Sequence, residues 1–457
     1  MSMETIEHRY TSMSGDEPIV LFSGQLKLTW DGQSFEGAGE IRFDWRPYQR
    51  IYFKVLVPNE LGLLHINPTD SVLVEINGGE GKGSGHVWGS QISGPSLVNE
   101  MFGSIEGHFV VGNPAATDIV RFHLPNFPNY VGAVTTLGGD VSASRLVART
   151  ERWQIDIDAV SDAFDIYSTL TTTAGFGITN VGIARKVDGS AVRFEDVERL
   201  LPALYWWLSL LRGERTGPML LSGEHEGKVV WEIWNAPNVA RWSGRNSWLP
   251  VNLVNIPGDI PDTTSPVFDY LMSSPPEERA AIVRVISWYT QSIENSYLET
   301  TVILAQAGLE LIAWLKLIEV GIDEGTINSW NAADEFRLVL TFANIPLDIP
   351  PKLTQLLSGA RGMSASDTLD GPGSVASIRN GAVHPKASSR FMDDQAKLEG
   401  SILAIRYLEL LILNRCRYLG TLKDRTDFMA DESPVPWTQV PQGDPTAWRR
   451  RAKLESA

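Results

Sequence analysis

The chain has 457 residues, of which 43% are apolar and 21% are charged, and its formal net charge is −16. This length corresponds to about three domains of ~150 residues, and the composition excludes a collagen-like, coiled-coil or wholly disordered chain. Because phosphate binding requires a positive field, so acidic a protein would hold nucleic acid only at a local basic patch. The single cysteine, Cys416, excludes an intramolecular disulfide and a cysteine-based zinc site, and is typical of a reducing compartment.

The sequence has no recognisable targeting or membrane-spanning segment. Residues 1–10 are polar and lack the basic start and apolar stretch of a signal peptide. The longest apolar stretch, residues 298–320, is interrupted by Glu299, Gln306, Glu310, Lys316 and Glu319. A spanning helix needs ~20 residues with few or no charges, so this stretch is predicted to be a buried helix of a soluble protein. We therefore expect a cytoplasmic protein with no membrane partner.

Up to about residue 260 the pattern is that of β-strands. Short stretches rich in Val, Ile, Phe, Trp and Thr alternate with turn residues, as in residues 51–57, 71–76 and 228–234. The turn Asn77-Gly78-Gly79 is typical of a β-hairpin, so mostly antiparallel pairing is expected. One embedded helix is predicted over residues 194–211, where Leu and Val recur at helical spacing.

Beyond residue 260 the pattern becomes helical. Residues 257–266 contain three prolines and are predicted to form a linker or a long turn. Helices are expected over residues 275–296, 298–320, 332–343, 374–383 and 391–418, with a turn at 352–357. The predicted fold class is therefore α+β multidomain, with a mostly antiparallel β-rich region followed by an all-α bundle. The expected domains are a β-rich N-terminal region (1–260), a helical domain (265–425) and a flexible tail (427–457).

Several familiar motifs are absent. The glycine-rich residues 78–85 lack the spacing of a phosphate-binding loop and are predicted to form a mobile hairpin loop. The histidines are scattered singly, without a metal-binding spacing, and no cofactor is expected. The 15 tryptophans allow two interpretations, a stacking platform for sugars or bases and ordinary core packing. The positions of Trp231, Trp234 and Trp242 would distinguish them, because rings in an open groove favour the platform.

One stretch, Arg379-Asn380-Gly381-Ala382-Val383-His384-Pro385, combines groups that can cleave a phosphodiester without a metal. Arg379 carries a permanent charge that matches phosphate geometry, and His384 can transfer a proton near neutral pH. The spacing alone is weak evidence, because about one such Arg–His pair is expected by chance. The surroundings are basic: residues 352–390 hold five Lys and Arg against two Asp, a net of +3 in a chain of −16.

The stretch from Arg379 to His384, within a helical C-terminal region, resembles the signature of HEPN domains (higher eukaryotes and prokaryotes nucleotide-binding). In that signature an Arg, often followed by a polar residue, is separated from a His by four to six positions. Residues 286–290 and 307–312 resemble the upstream helices of such domains. The β-rich region, with residues 206–213, resembles the N-terminal part of ApeA-type abortive-infection proteins. The HEPN resemblance covers about residues 265–425.

The resemblance implies an anti-phage effector that acts as a metal-independent endoribonuclease on single-stranded RNA. It implies that Arg379 and His384 are catalytic and that Asn380 supports them. It also implies a homodimer or higher even-numbered oligomer through the C-terminal helices, since HEPN domains usually pair to form one cleft. A phage-derived protein trigger would then act on the N-terminal region.

Two further residues are supporting candidates. Glu310 lies on a helix that is apolar on nearly every side, where an unpaired carboxylate is costly. It would orient Arg379 or a catalytic water, or else form a structural pair with an Arg or Lys. Lys386 adds positive charge two residues after His384.

Other functions remain open at this point. Arg379 and His384 could cap the end of a helix, and the helical domain could be a non-catalytic HEPN binding or assembly module. A carbohydrate-processing β domain is a third interpretation, based on the tryptophans, although no pair of carboxylates stands out as acid and nucleophile.

Overall fold

The structure, a computed structural model, describes residues 3–10, 16–57, 70–76, 78–93, 98–130, 133–137, 140–244, 246–249, 264–294, 297–363, 369–384, 393–427 and 432–438. The chain divides into two compact units. The β unit comprises Met1–Leu208, Thr216–Gly244 and Asn252–Pro261. The helical unit comprises Ser209–Arg215, Arg245–Val251 and Asp262–Ala457, so it includes two short segments that precede the boundary expected at residues 260–265.

The described part of the β unit holds fifteen strands in one continuous sheet. Their bounds are β1 Met3–Glu4, β2 Ile19–Trp30, β3 Gln33–Asp44, β4 Arg50–Val57, β5 Ser71–Ile76, β6 Gly81–Ser93, β7 Val98–Ile105, β8 His108–Gly112, β9 Ile119–Pro125, β10 Ala133–Leu137, β11 Asp140–Arg149, β12 Trp153–Ala159, β13 Ile178–Lys186, β14 Met219–His225 and β15 Lys228–Asn235. The strands pair antiparallel, apart from β1 with β10.

Six of these strands close into a barrel. They follow the order β6-β5-β2-β3-β4-β7, and β7 pairs back with β6. Alternate residues fill the interior, as Ile51, Phe53 and Val55 on β4 illustrate, all of them buried. The remaining strands continue from β6 through β8 as an open sheet. The predicted antiparallel β-rich region is confirmed, and closure leaves the barrel strands without free edges.

Two helices, α1 (Ala163–Thr173) and α2 (Phe194–Arg212), interrupt the strands. The sequence predicted α2 but not α1, whose repeated threonines favour strands. In α1 the threonine hydroxyls donate to carbonyl oxygens one turn earlier, as Thr171 does to Tyr167 at 2.7 Å. This back-bonding satisfies the hydroxyls within the helix.

The prediction of a mobile loop over residues 78–85 was wrong beyond Gly79. Gly78 and Gly79 adopt positive φ angles of 68° and 106° in the turn between β5 and β6. Gly81, Gly83 and Gly85 instead lie in β6, where a Cβ on Gly85 would come within 2.4 Å of the Ser104 carbonyl oxygen. These glycines therefore permit close strand packing inside the barrel.

The described part of the helical unit confirms the all-α region. Its helices are α3 Ser265–Ser273, α4 Pro276–Glu294, α5 Leu298–Glu319, α6 Glu324–Asn328, α7 Ala332–Phe342, α8 Thr354–Met363, α9 Gly371–Val383 and α10 Asp394–Arg415. The linker prediction missed α3, in which Pro266 lies in the first turn, where the absent N–H costs nothing. The turn expected at 352–357 is part of α8.

Residues 432–438 of the expected flexible tail are ordered. A short strand, Ser433–Pro434, pairs with Thr421–Leu422, and Val435 is buried. The Trp437 indole N–H donates to the Tyr418 carbonyl at 2.8 Å. Residues 428–431 and 439–457 lie outside the described residues.

Among the described helices, α5 alone is long and apolar enough to cross a membrane by length and composition. It packs against α4, α7, α9 and α10, and half of its most apolar window is buried in the helical unit. Gln306 is buried at its centre. This packing is that of a core helix, as predicted.

Candidate functional site

Helix α9 positions the predicted catalytic residues. Asp370 caps its start by accepting the Gly373 N–H at 2.9 Å, and is itself held by the Arg337 guanidinium at 2.8 and 2.9 Å. The first half of α9 is buried, and a Cβ on Gly371 would lie 2.0 Å from the Tyr407 hydroxyl oxygen on α10. The second half is more exposed to solvent. The helix is therefore packed at its N-terminal end and solvent-exposed at its C-terminal end.

Arg379, Asn380 and His384 lie together at the exposed end of α9. Arg379 is half-buried, whereas Asn380 and His384 are exposed. Nη1 of Arg379 donates to Oδ1 of Asn380 at 3.2 Å. His384 follows the last helical residue, and its backbone N–H donates to the Asn380 carbonyl at 2.9 Å. Asn380 thus contacts both predicted catalytic residues, one through its side chain and the other through its backbone.

The Arg379 and His384 side chains have no carboxylate partner and no carbonyl acceptor among the described residues. Several other arginines of the helical unit are neutralised, as when Arg415 lies 2.8 Å from Glu319 and Arg425 lies 2.6 Å from Glu409. In the described region the structure therefore gives no support to side-chain capping of α9. A guanidinium without a counter-charge retains its full capacity to bind an anion.

Gly381 lies between these two residues in the chain and leaves room for a side chain. A Cβ built on Gly381 meets no atom of the described residues within 4 Å. Gly381 is an unfavourable helix residue, costing ~1 kcal/mol relative to Ala, so the described structure gives no packing reason for its presence in α9.

Glu310 lies on α5 and accepts a hydrogen bond from Nε2 of Gln306 at 2.7 Å. It forms no ion pair with an Arg or Lys, and no hydrogen bond with Arg379, within the described residues. Its electrostatic neighbour is Glu335 on α7, whose pKa is raised to about 7 by burial and by the Glu310 charge. The sequence did not reveal this second carboxyl group, because the two glutamates come from helices that meet only in the folded unit.

The predicted basic surroundings are described only in part. Lys386 and Arg390 lie outside the described residues, as does Asp367. Lys352 lies 3.8 Å from Asp427. The Asp370 carboxylate forms an ion pair with Arg337 and caps the start of α9. The side chain of Arg361 also lies outside the described part of the structure, so Arg379 is the basic residue of this stretch whose described side chain has no ion pair.

The three diagnostic tryptophans lie in the core of the β unit. Trp231, Trp234 and Trp242 are 1%, 3% and 8% exposed, and Trp234 stacks on Phe109 with ring centroids 5.2 Å apart. Rings in these positions cannot form an open platform. The carbohydrate interpretation thereby loses its main support.

Comparison with known proteins finds similarity to two domains described as the YopA central domain, over residues 112–245, and the YopA C-terminal domain, over residues 276–434. The first match begins at the last residue of β8 and runs from β9 to beyond β15. The second runs from α4 to the strand at 433–434, and includes Arg379, Asn380 and His384.

The chain is also similar to a Bacillus subtilis (strain 168) protein described as the SPbeta prophage-derived uncharacterized protein YopA. The two are 25% identical over 450 residues, which cover 94% of this chain and 98% of that protein. No solved structure matches. These descriptions name no activity, so the chemistry of the site is argued from its residues.

Proposed function

We propose that this protein is a metal-independent endoribonuclease that cleaves single-stranded RNA at the exposed end of α9. One observation carries the proposal: at the exposed end of α9, Arg379 has no counter-charge in the described structure, and the exposed His384 follows the last helical residue. We expect a phosphate bound to Arg379 to come within reach of the His384 imidazole, which can act as a general base or acid. The HEPN-like spacing of these residues supports the same assignment.

In this reaction the 2′-hydroxyl of a nucleotide attacks its own phosphorus. Neutral His384 accepts the hydroxyl proton, the P–O5′ bond breaks, and the departing 5′-oxygen takes up a proton from a second acid. The products are a 2′,3′-cyclic phosphate and a 5′-hydroxyl end. Arg379 stabilises the negative charge that builds on the phosphate oxygens, and Asn380 fixes the guanidinium through its Oδ1.

The second acid would come from a paired copy. A two-fold dimer through the helical unit would place a second His384 beside the first, so that one acts as base and the other as acid. The end of α5 supports pairing, because Trp314 and Ile318 lie one turn apart and are 36% and 39% exposed. The leucines of α10 give no such support, since most of them are buried within their own helical unit.

The cellular role that fits this chemistry is a cytoplasmic abortive-infection effector, with the β unit sensing a phage-derived protein. The prophage origin of the B. subtilis relative agrees with a phage-related setting. RNA cleavage would halt growth of the infected cell.

A second candidate is a non-catalytic binding or assembly module. Arg379 and His384 lie at the negative end of the α9 dipole, where positive side chains stabilise a helix without any catalytic purpose. No described carboxylate or third group orients His384. This candidate predicts a stable fold that binds RNA or a partner without cutting it.

The test is incubation of purified protein with total RNA in EDTA. We expect cleavage by the wild type and a loss of ~10²-fold or more for His384→Ala and Arg379→Ala. His225→Ala and Arg193→Ala are matched controls, because both residues are exposed in the β unit. Equal cleavage by all variants, or cleavage that stops in EDTA and returns with magnesium, would overturn the proposal.

A further inference from the structure

The N-terminal segment, residues 3–10, lies along the open sheet of the β unit. Met3 and Glu4 pair in parallel with Thr135 and Thr136 at the edge of the sheet. Beyond Glu4 the segment leaves the strand ladder, and Ile6 is buried among the core residues. From this point the segment is held by side chains of the sheet.

A buried ion pair holds the first half of the segment through its backbone. Asp158, which is fully buried, accepts the Ile6 N–H at 2.8 Å, and Arg145 donates to the Glu4 carbonyl at 2.6 Å. Arg145 and Asp158 also bind each other through two hydrogen bonds of 2.7 and 2.6 Å. The pair therefore recognises one N–H and one carbonyl of the chain that lies on it, whatever side chains that chain carries.

The second half is held in the same way by β9. Arg121 donates to the Glu7 carbonyl at 2.6 Å. Nε2 of the buried His123 accepts the Arg9 N–H at 3.1 Å, while its Nδ1 contacts the Leu220 carbonyl at 3.1 Å. With Nδ1 donating, Nε2 is an acceptor that requires a partner N–H, and the segment supplies it.

Selectivity for side chains comes from two places. Ile6 enters an apolar site, and Glu232 receives both the Tyr10 hydroxyl at 3.1 Å and the Arg9 guanidinium at 2.9 Å. The Tyr10 ring also meets His123 edge-on at 5.2 Å. The preferred sequence is thus an apolar residue, two variable positions, and then Arg-Tyr.

We propose that this surface is a binding groove for an extended peptide, occupied in cis by residues 3–10 and open to a partner protein whose segment carries the same pattern. Backbone recognition with a few side-chain pockets is how sheets bind extended peptides. The buried His123 acceptor and Asp158 carboxylate would be costly to leave without a partner, so the groove favours being filled by one chain or another. The inference does not depend on ribonuclease activity.

The test uses the full chain with a specific protease site inserted between Tyr10 and Asp16. After cleavage, a fluorescent synthetic peptide of residues 1–12 is added and its anisotropy is measured. We expect saturable binding to the cut protein and at least about tenfold weaker binding to the uncut protein, in which the tethered segment competes. Circular dichroism and mass spectrometry follow the fold and the release of the original segment.

Variants distinguish specific peptide binding in the groove from non-specific binding. A peptide with Ile6→Asp should bind about tenfold more weakly or not at all, and this change leaves the protein untouched. In the protein, Arg145→Met should weaken binding, whereas Arg185→Met, at a more exposed arginine paired with Asp156, should not.

Three results would overturn the inference. The first is unfolding of the β unit on cleavage, which would make the segment an integral strand. The second is a cut segment that fails to exchange with a large excess of peptide. The third is equal binding of the native and Ile6→Asp peptides.

Discussion

His123 makes the stability of the β unit depend on pH. Burial lowers its pKa to about 3, and the nearby His8, Arg121 and Arg9 act in the same direction. The unfolded chain has the ordinary pKa of 6.5, so between pH 6.5 and 3 the unfolded state binds a proton that the folded state does not. The contribution of neutral His123 to stability is therefore complete above pH 6.5 and is lost as the pH falls towards 3.

For His123 we predict that the free energy of unfolding falls by about 2 kcal/mol more between pH 7 and pH 5 in the wild type than in His123→Gln. Glutamine retains a donor and an acceptor but does not titrate. Urea titration at both pH values measures the difference. The same pH dependence in both proteins would show that His123 is protonated in the folded state.

Glu335 has the opposite pH dependence. Its folded pKa of about 7 lies above the ordinary 4.5, so its stabilising contribution is complete below pH 4.5 and is lost as the pH rises towards 7. We expect Glu335→Gln to stabilise the protein at pH 8 by about 1 kcal/mol, after allowance for solvent screening, and much less at pH 4.5. Glu151→Gln, at an exposed position, is the control. Equal effects of Glu335→Gln at both pH values would contradict the assignment.

At the scale of elements, a substitution of Gly381 in α9 should change protein stability and RNA cleavage in opposite directions. Because a Cβ there meets nothing, Gly381→Ala should stabilise the protein by ~1 kcal/mol in thermal unfolding. If RNA approaches the backbone at this point, the same change should lower the rate of cleavage. Gly371→Ala is the matched control, and should destabilise because its Cβ would meet the Tyr407 hydroxyl at 2.0 Å. A destabilised Gly381→Ala protein would show that the surface is already occupied.

Helices whose apolar residues recur at helical spacing were predictable from the sequence. Helices that contain residues which usually favour strands or breaks were not. Helix α2 and the core of α5 follow their Leu and Val spacing closely. Helix α1 was missed because its threonines satisfy their hydroxyls within the helix, and α3 because Pro266 marks a helix start as well as a break. The same local pattern can therefore indicate opposite structures, and tertiary contacts decide between them.

At the scale of the whole molecule, the change from a strand pattern to a helical pattern near residue 260 predicted the α+β class, but barrel closure depends on pairings distant in sequence. The strands β6 and β7 are neighbours in the chain, but the ring also requires β2 to pair with β5 and β4 to pair with β7, and no local pattern specifies those partners. The candidate site was likewise predictable from the sequence only in part. Arg379, Asn380 and His384 were found within six residues of sequence, whereas Glu335 required the contact between α5 and α7.

Pairing of the whole molecule should depend on the end of α5. We expect a dimer by multi-angle light scattering at micromolar concentration, and a monomer for Trp314→Glu, since a charge in an apolar interface is costly to bury. Phe164→Glu is the control, because Phe164 is 85% exposed on α1 in the β unit. A monomeric wild type, or dimers that persist in Trp314→Glu, would exclude this interface.

The most direct test of the central claim is the chemistry of the cut ends. A single-stranded RNA oligonucleotide is incubated with the protein in EDTA, beside DNA and fully 2′-O-methylated versions, and the products are identified by mass spectrometry. Attack by the 2′-hydroxyl predicts fragments with 2′,3′-cyclic phosphate and 5′-hydroxyl ends from RNA alone, produced by the wild type and His225→Ala but not by His384→Ala. Fragments with 3′-hydroxyl and 5′-phosphate ends, cleavage of the DNA, or unchanged cleavage by His384→Ala would contradict the account.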